Sequence, residues 1–179
     1  CCPCVISDHH GSIDQLVRHA YEKGHRKIAF VHGQSGYITD QRLNGFYKSC
    51  CSLGLNVPPG FIQQANYHDP LSAEQATKAL LALEERPTCI LYPDDYTCLG
   101  AFTQLERMGL SIPHDMGIIG YDGIMLSTVI RPRLTTYRQD VQRKGETAIE
   151  LLIQQIEFCT TLVLNKADLV SPEQLAELN

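Results

Sequence analysis

The sequence predicts an α/β fold, a doubly wound parallel sheet with helices on both faces. Two observations carry this. Short apolar runs alternate with longer stretches whose apolar residues recur at i, i+3, i+4 and i+7, and the connections between them are brief and marked by Gly or Pro. Runs too short for helices, and apolar throughout, are what strands covered on both faces require. A helix between successive strands supplies that cover, with right-handed crossovers.

Pro3 to Ser7 is a short apolar run. Ile13, Leu16, Val17, Ala20 and Tyr21 then share one helix face, which Gly24 ends as a left-handed cap. Lys27 to His32 reads as a buried strand, followed by a loop from Gly33 to Tyr37. A second helix carries Leu43, Phe46, Tyr47, Cys50 and Leu53 and stops at Gly54. Pro58-Pro59-Gly60 turns the chain into a strand at Phe61 to Ala65. Ser72-Ala73-Glu74-Gln75 has the form of a capping box for a third helix with Ala76, Ala79, Leu80 and Leu83 inward. Pro87 ends that helix before a strand at Thr88 to Tyr92. The fourth helix uses Leu99, Phe102 and Leu105, stops at Gly109, and leads to a strand at Met116 to Tyr121. Arg131 to Thr136 is a short extended piece, and Val141 to Glu157 is a long amphipathic helix with Ala148, Leu151, Leu152 and Ile156 on one face.

At 179 residues and 44% hydrophobic content the chain is long enough to bury a sizeable core. No apolar run approaches the length of a membrane span and no secretory leader is read, so a cytoplasmic, membrane-free protein is expected. A net charge of −5 argues against a nucleic-acid-binding segment, which needs clustered cations. Arg131, Arg133, Arg138, Arg143 and Lys144 do bunch, and read as a solvated face. Among eight cysteines, Cys1-Cys2-Pro3-Cys4 has a formal C-x-x-C, but no partner motif lies at zinc-ligand spacing. Free, mostly buried thiols are expected, with no metal and no cofactor. Seven histidines accompany no nucleophile elbow and no H-E-x-x-H, so no catalysis is expected.

Polar residues gather where strands end. Cys89 to Tyr92 runs into Asp94 and Asp95, and Met116 to Tyr121 runs into Asp122. In an open parallel sheet these ends line the ligand crevice. Asp122 is a candidate acceptor for ligand hydroxyls, although Asp122-Gly123 also fits a plain turn. Asp95 reads first as an N-cap of the fourth helix and second as a ligand contact. Arg42 offers a planar fork of donors, against the alternative of an ordinary surface arginine.

These motifs resemble the effector-binding domain of lactose-repressor (LacI/GalR) family transcription regulators. Val5-Ile6-Ser7-Asp8 followed by Gly11 is similar to that family's strand-Asp-x-x-Gly. Gly24-His25-Arg26-Lys27-Ile28-Ala29 is similar to its Gly-His-Arg-x-Ile-Ala, and Arg42-Leu43-Asn44-Gly45-Phe46 to its Arg-x-x-Gly-Phe. The Tyr92 to Asp122 stretch and Pro132-Arg133-Leu134-Thr135-Thr136 complete the likeness, in order and at nearly the family spacing. The resemblance implies a non-catalytic sensor of a sugar or nucleoside-like effector held between two lobes, acting as a homodimer. Arg42 and Asp122 would hold the ligand. Asp94 stands where many members have Asn, Asp8 would join Arg42 in an inter-lobe network, and Tyr92 or Tyr96 would supply an aromatic face. DNA would be met only through a helix-turn-helix expected upstream. The implied division is residues 1–8 as an inter-lobe crossover strand, 9–134 as the C-terminal lobe, 135–157 as a crossover and helix of the other lobe, and 158–179 as an atypical tail. A sugar-binding transport protein is the alternative on the same fold. The tail adds a third reading, since Leu164-Asn165-Lys166-Ala167-Asp168 resembles the guanine-specificity motif of GTPases, though no phosphate-binding loop accompanies it.

Overall fold

The computed structural model describes residues 4–157, which divide into two units, Ser7–Gln139 and a smaller one holding residues 4–6 and 140–157. The Asn165-Lys166-Ala167-Asp168 segment, Cys159, Cys1 and Cys2 lie outside the described residues.

The larger unit runs α1 (His9–Glu22), β1 (Ile28–His32), α2 (Tyr37–Ser52), β2 (Ile62–Gln64), α3 (Pro70–Leu81), β3 (Cys89–Leu91), α4 (Cys98–Arg107), β4 (Gly117–Asp122), α5 (Leu126–Val129) and β5 (Thr135–Arg138). All strand pairs are parallel and the sheet order is β2-β1-β3-β4-β5. Side chains alternate across each strand, and this splits the core in two. Ala29, Val31, Ile90, Tyr92 and Ile118 pack with residues of α3 and α4, including Ala76, Leu80, Ala101 and Leu105. Ile28, Phe30, Leu91, Ile119 and Tyr121 pack with residues of α1 and α2, including Leu16, Val17, Phe46 and Cys50. Phe30 stacks on Phe46, ring centroids 5.1 Å apart.

Local chemistry sets the ends. Gly24, Gly54 and Gly109 take positive φ where helices stop, as the sequence predicts. The third helix begins earlier than the Ser72 capping box implies. Asp69 caps it, its carboxylate accepting from the Leu71 and Ser72 amides, and Pro70 opens it with a preset φ. Ser72 turns its hydroxyl back to the Asp69 carbonyl and accepts from the Asn66 amide. The extended piece after Leu134 is the edge strand β5, in register with β4 from Ile119↔Thr135 to Asp122↔Arg138, so the sheet runs past residue 134.

In the smaller unit, α6 spans Val141–Glu157. Asp140 begins it, its carboxylate accepting from the Arg143 amide at 2.9 Å. No helix among the described residues is long and apolar enough to cross a membrane.

Candidate functional site

With strand order β2-β1-β3-β4-β5 the winding reverses between β1 and β3, and the ligand crevice of such a sheet opens outside the carboxyl ends of those strands. Three groups converge there: Arg42 from α2, the carbonyl of Pro93 after β3, and Tyr121 near the end of β4. The Arg42 guanidinium carbon lies 3.6 Å from the Tyr121 ring centroid, and Nη1 donates to the Pro93 carbonyl at 2.7 Å. The side chain is only 5% exposed. It forms no ion pair among the described residues, and its Nε is buried with no hydrogen-bond partner. A buried donor left unmade carries a substantial desolvation penalty, which makes this atom a candidate donor to a ligand.

The Arg42-x-x-Gly45-Phe46 spacing has a physical reason. A Cβ on Gly45 would sit 3.0 Å from the His10 carbonyl oxygen, so glycine lets α2 approach the start of α1. Phe46 anchors the next position in the core. Arg42, one turn earlier, is thereby fixed over Tyr121. The Tyr121 hydroxyl shares a 2.6 Å hydrogen bond with Ser12, and its ring stacks on Tyr137 with centroids 5.4 Å apart. Burial pushes that hydroxyl above the ordinary tyrosine range, against the opposing effects of the Ser12 bond and the Arg42 charge.

Asp122 follows directly. Its Oδ1 accepts from Gln139 Nε2 at 2.5 Å, and Gln139 Oε1 in turn accepts from Ser7 at 2.8 Å. Its φ is +102°, a strained conformation for a residue with a side chain, and Gly123 follows at +67°. At Gly123 a Cβ would press on the Arg138 backbone, 2.6 Å from its Cα. The half-buried carboxylate is therefore held in place and keeps unused acceptor positions.

Other expected contacts lie elsewhere. Tyr92 falls on the same side of β3 as Ile90, faces the α3–α4 core, and shares a 2.6 Å hydrogen bond with Thr77; it offers no ring to the crevice. Removing that hydroxyl in Tyr92→Phe is expected to lower stability by about 1 kcal/mol with no loss of ligand affinity, as read by urea denaturation and calorimetry. Asp94 is buried and occupied: it accepts from the Thr97 amide and hydroxyl, each at 2.7 Å, and from the His68 amide at 2.9 Å. It is Asp94, then, and not Asp95, that satisfies the first turn before α4. Asp8 caps α1, accepting from the Gly11 amide at 2.8 Å, and makes no ion pair with Arg42.

Asp95 is fully buried and joins three segments. Its oxygens accept from the Ile124 amide at 2.8 Å and from the Thr136 hydroxyl at 2.5 Å, tying the turn after β4 to β5. Burial holds its carboxyl above the ordinary range, the Thr136 and Ile124 bonds opposing. A carboxyl whose folded-state pKa is raised contributes stability fully below its unfolded pKa, near ~3.9, and loses it as pH rises through the folded value. Asp95→Asn retains an acceptor for Ile124 and places a donor toward Thr136. Its stability relative to the parent is therefore expected to rise from pH 4 to pH 7 in urea titrations, and a relative fall over that range contradicts this account.

One aromatic at the crevice was not among the sequence candidates. Tyr67, in the turn between β2 and α3, lies against Gly33, where any Cβ would overlap its ring, and its hydroxyl pairs with Thr39 at 2.9 Å. Tyr67 and Arg42 line a cavity of about 500 Å³ with Gln34 and Thr39. His68 beside it has φ +57° and stands edge-on to the half-exposed Tyr96, centroids 6.5 Å apart. The available signal was a glycine directly after β1 together with an aromatic shortly after β2. Neither has periodicity.

Among the described residues no group of His, Cys, Asp and Glu is placed to hold a metal. Cys4, Cys50, Cys51, Cys89 and Cys98 are free thiols, and burial pushes Cys50 and Cys89 up to about 12.

A sequence profile of the periplasmic binding protein-like domain matches residues 17–168. The chain is 36% identical over 141 residues to the HTH-type transcriptional repressor PurR of Aliivibrio salmonicida, covering 78% of this chain and 42% of that protein. It is 34% identical over 154 residues to PurR of Haemophilus influenzae strain PittEE, covering 85% and 46%. The chain thus spans less than half the length of the curated relatives it matches. Among solved structures, a LacI-family regulatory protein from Chloroflexus aggregans superposes with TM-score 0.81 at 28% identity, over 84% of this chain and 54% of that one. A LacI-family transcriptional regulator from Mycobacterium smegmatis superposes with TM-score 0.76 at 25% identity, over 87% and 57%.

Proposed function

Because the chain belongs to the periplasmic-binding-protein-like domain family and matches the effector-binding domains of LacI-family regulators, we propose that its crevice senses a sugar or nucleoside-like effector. The observation that carries this is the buried, unpartnered Nε of Arg42. A neutral polyol or a ribose supplies the acceptor this donor lacks, and Asp122 accepts in return from ligand hydroxyls. Tyr67 and the half-exposed Tyr96 supply aromatic faces on the same side of the sheet, suited to a sugar ring or a base.

The domain is non-catalytic and works by differential binding: an effector that prefers one arrangement of a two-lobed protein shifts the population toward it. DNA binding, dimerisation and a cytoplasmic place belong to the whole regulator and are proposed with it. The reported relatives are repressors, which favours a regulator over a transport protein.

The test is a thermal-shift screen of the 179-residue chain against pentoses, hexoses and nucleosides. At least one class is expected to raise Tm with the logarithm of ligand excess, and the rise is expected to shrink sharply in Arg42→Met. A panel with no shift contradicts the proposal, as does a shift that survives the substitution unchanged.

A further inference from the structure

A second cavity, of about 570 Å³, opens at the other end of the sheet, where β3, β4 and β5 begin. Their first residues, Cys89, Gly117 and Thr135, all line it. Groups that carry or can acquire positive charge reach it from separate segments. His19 and Lys23 come from the end of α1, His114 from the turn before β4, and Arg133 from the turn before β5; His25, from the turn before β1, adds an imidazole whose charged form burial disfavours. Among the described residues none lining it is acidic, in a chain whose net charge is −5. The neighbouring carboxylate, Asp115, accepts from the Ser111 amide and hydroxyl.

Cations at a helix end complement its carbonyls, and that explains His19 and Lys23. It does not explain His114 and Arg133, which arrive from the separate turns before β4 and β5. Lys23 and Arg133 make no ion pair among the described residues. The remaining wall is apolar, built from Ala20, Ile112, Pro113, Ile119 and Pro132. Gly117 keeps the floor open, since a Cβ there would sit 3.0 Å from His25 Nε2 and 3.2 Å from Cys89 Sγ.

Several cations around one space suit an anion with several acceptor oxygens, and an apolar wall suits an organic body attached to it. We propose that this cavity binds a small organic phosphomonoester, its phosphate among Lys23, Arg133 and the histidines and its body against the proline and isoleucine wall. The site is separate from the crevice and does not involve Arg42.

Calorimetric titration of the full chain at low salt with phenyl phosphate, and separately with inorganic phosphate, tests it. Phenyl phosphate is expected to bind at a single site, more tightly than inorganic phosphate, and to weaken as salt is added. Lys23→Gln and Arg133→Gln should each weaken it about threefold, the range of partly solvated ion pairs, and the double variant about tenfold. Arg133→Lys should retain most of the affinity, and Lys78→Gln, at an exposed cation on α3 outside both cavities, should leave it unchanged. Absence of binding by either probe overturns the proposal. So does full-strength binding to the double variant, or phenyl phosphate binding no tighter than inorganic phosphate.

Discussion

Arg42→Met is expected to weaken effector binding by about ten- to a hundredfold and to destabilise the chain by about 2–3 kcal/mol. The charge-assisted hydrogen bond to the Pro93 carbonyl is worth about 1.5–3 kcal/mol, and the desolvated stack on Tyr121 up to about 2. The two share one side chain and do not add. Relief of the unsatisfied Nε offsets part of the loss, since methionine buries no donor. On the ligand side there is no such offset, because an acceptor on the effector would face a thioether. A loss of about ten- to a hundredfold in affinity follows from leaving one charged hydrogen bond unmade. Arg42→Lys restores charge without the planar stack or the Nε donor, and is expected to recover stability more than affinity. Calorimetry and urea denaturation on the two variants separate these effects.

Gly100→Ala is expected to cost about 2–3 kcal/mol, although alanine favours helices by about 0.5–1 kcal/mol over glycine. Gly100 is where α4 crosses the start of α3. A Cβ there overlaps the Pro70 carbonyl oxygen and lies 2.8 Å from the Glu74 amide nitrogen, both backbone atoms that cannot rotate away. The helices must part, and the displaced segment is the one that follows Tyr67 and His68. The His68 amide then leaves the Asp94 carboxylate, to which it now donates at 2.9 Å. The substitution should therefore lower Tm and weaken effector binding together, although Gly100 itself touches no ligand. A variant with undiminished Tm contradicts the close approach.

Much of this was legible in sequence because periodicity carries it. Helix α6 occupies the expected Val141–Glu157, β1 and β3 fall within the apolar runs that announce them, and β4 is shifted one residue onward to include Asp122. Elements whose residues are polar were harder to read. Edge strand β5 offers Thr135-Thr136-Tyr137-Arg138, with no apolar run, and only its register with β4 makes it a strand. Asp69 displaced Ser72 as the cap of α3 because Pro70 already suits the first helical position. In the site, Arg42 and Asp122 stand at the crevice as anticipated, and they remain the proposed ligand contacts. Tyr92 was misplaced although the alternation along Ile90-Leu91-Tyr92 puts it with Ile90, away from Tyr121. The roles of Asp94 and Asp95 depend on donors distant in sequence, His68 for one and Ile124 with Thr136 for the other, which no local pattern records. Tyr67 shares this property.

The central claim is that Arg42 Nε donates to the effector. The Nε–H resonance of Arg42 in a ¹⁵N-edited NMR spectrum, assigned by its absence in Arg42→Lys, measures this directly. Titration with a sugar or nucleoside that raises Tm is predicted to shift that resonance and slow its exchange with water, in step with occupancy. Saturation by such a ligand with the Arg42 Nε–H signal unmoved would contradict the account.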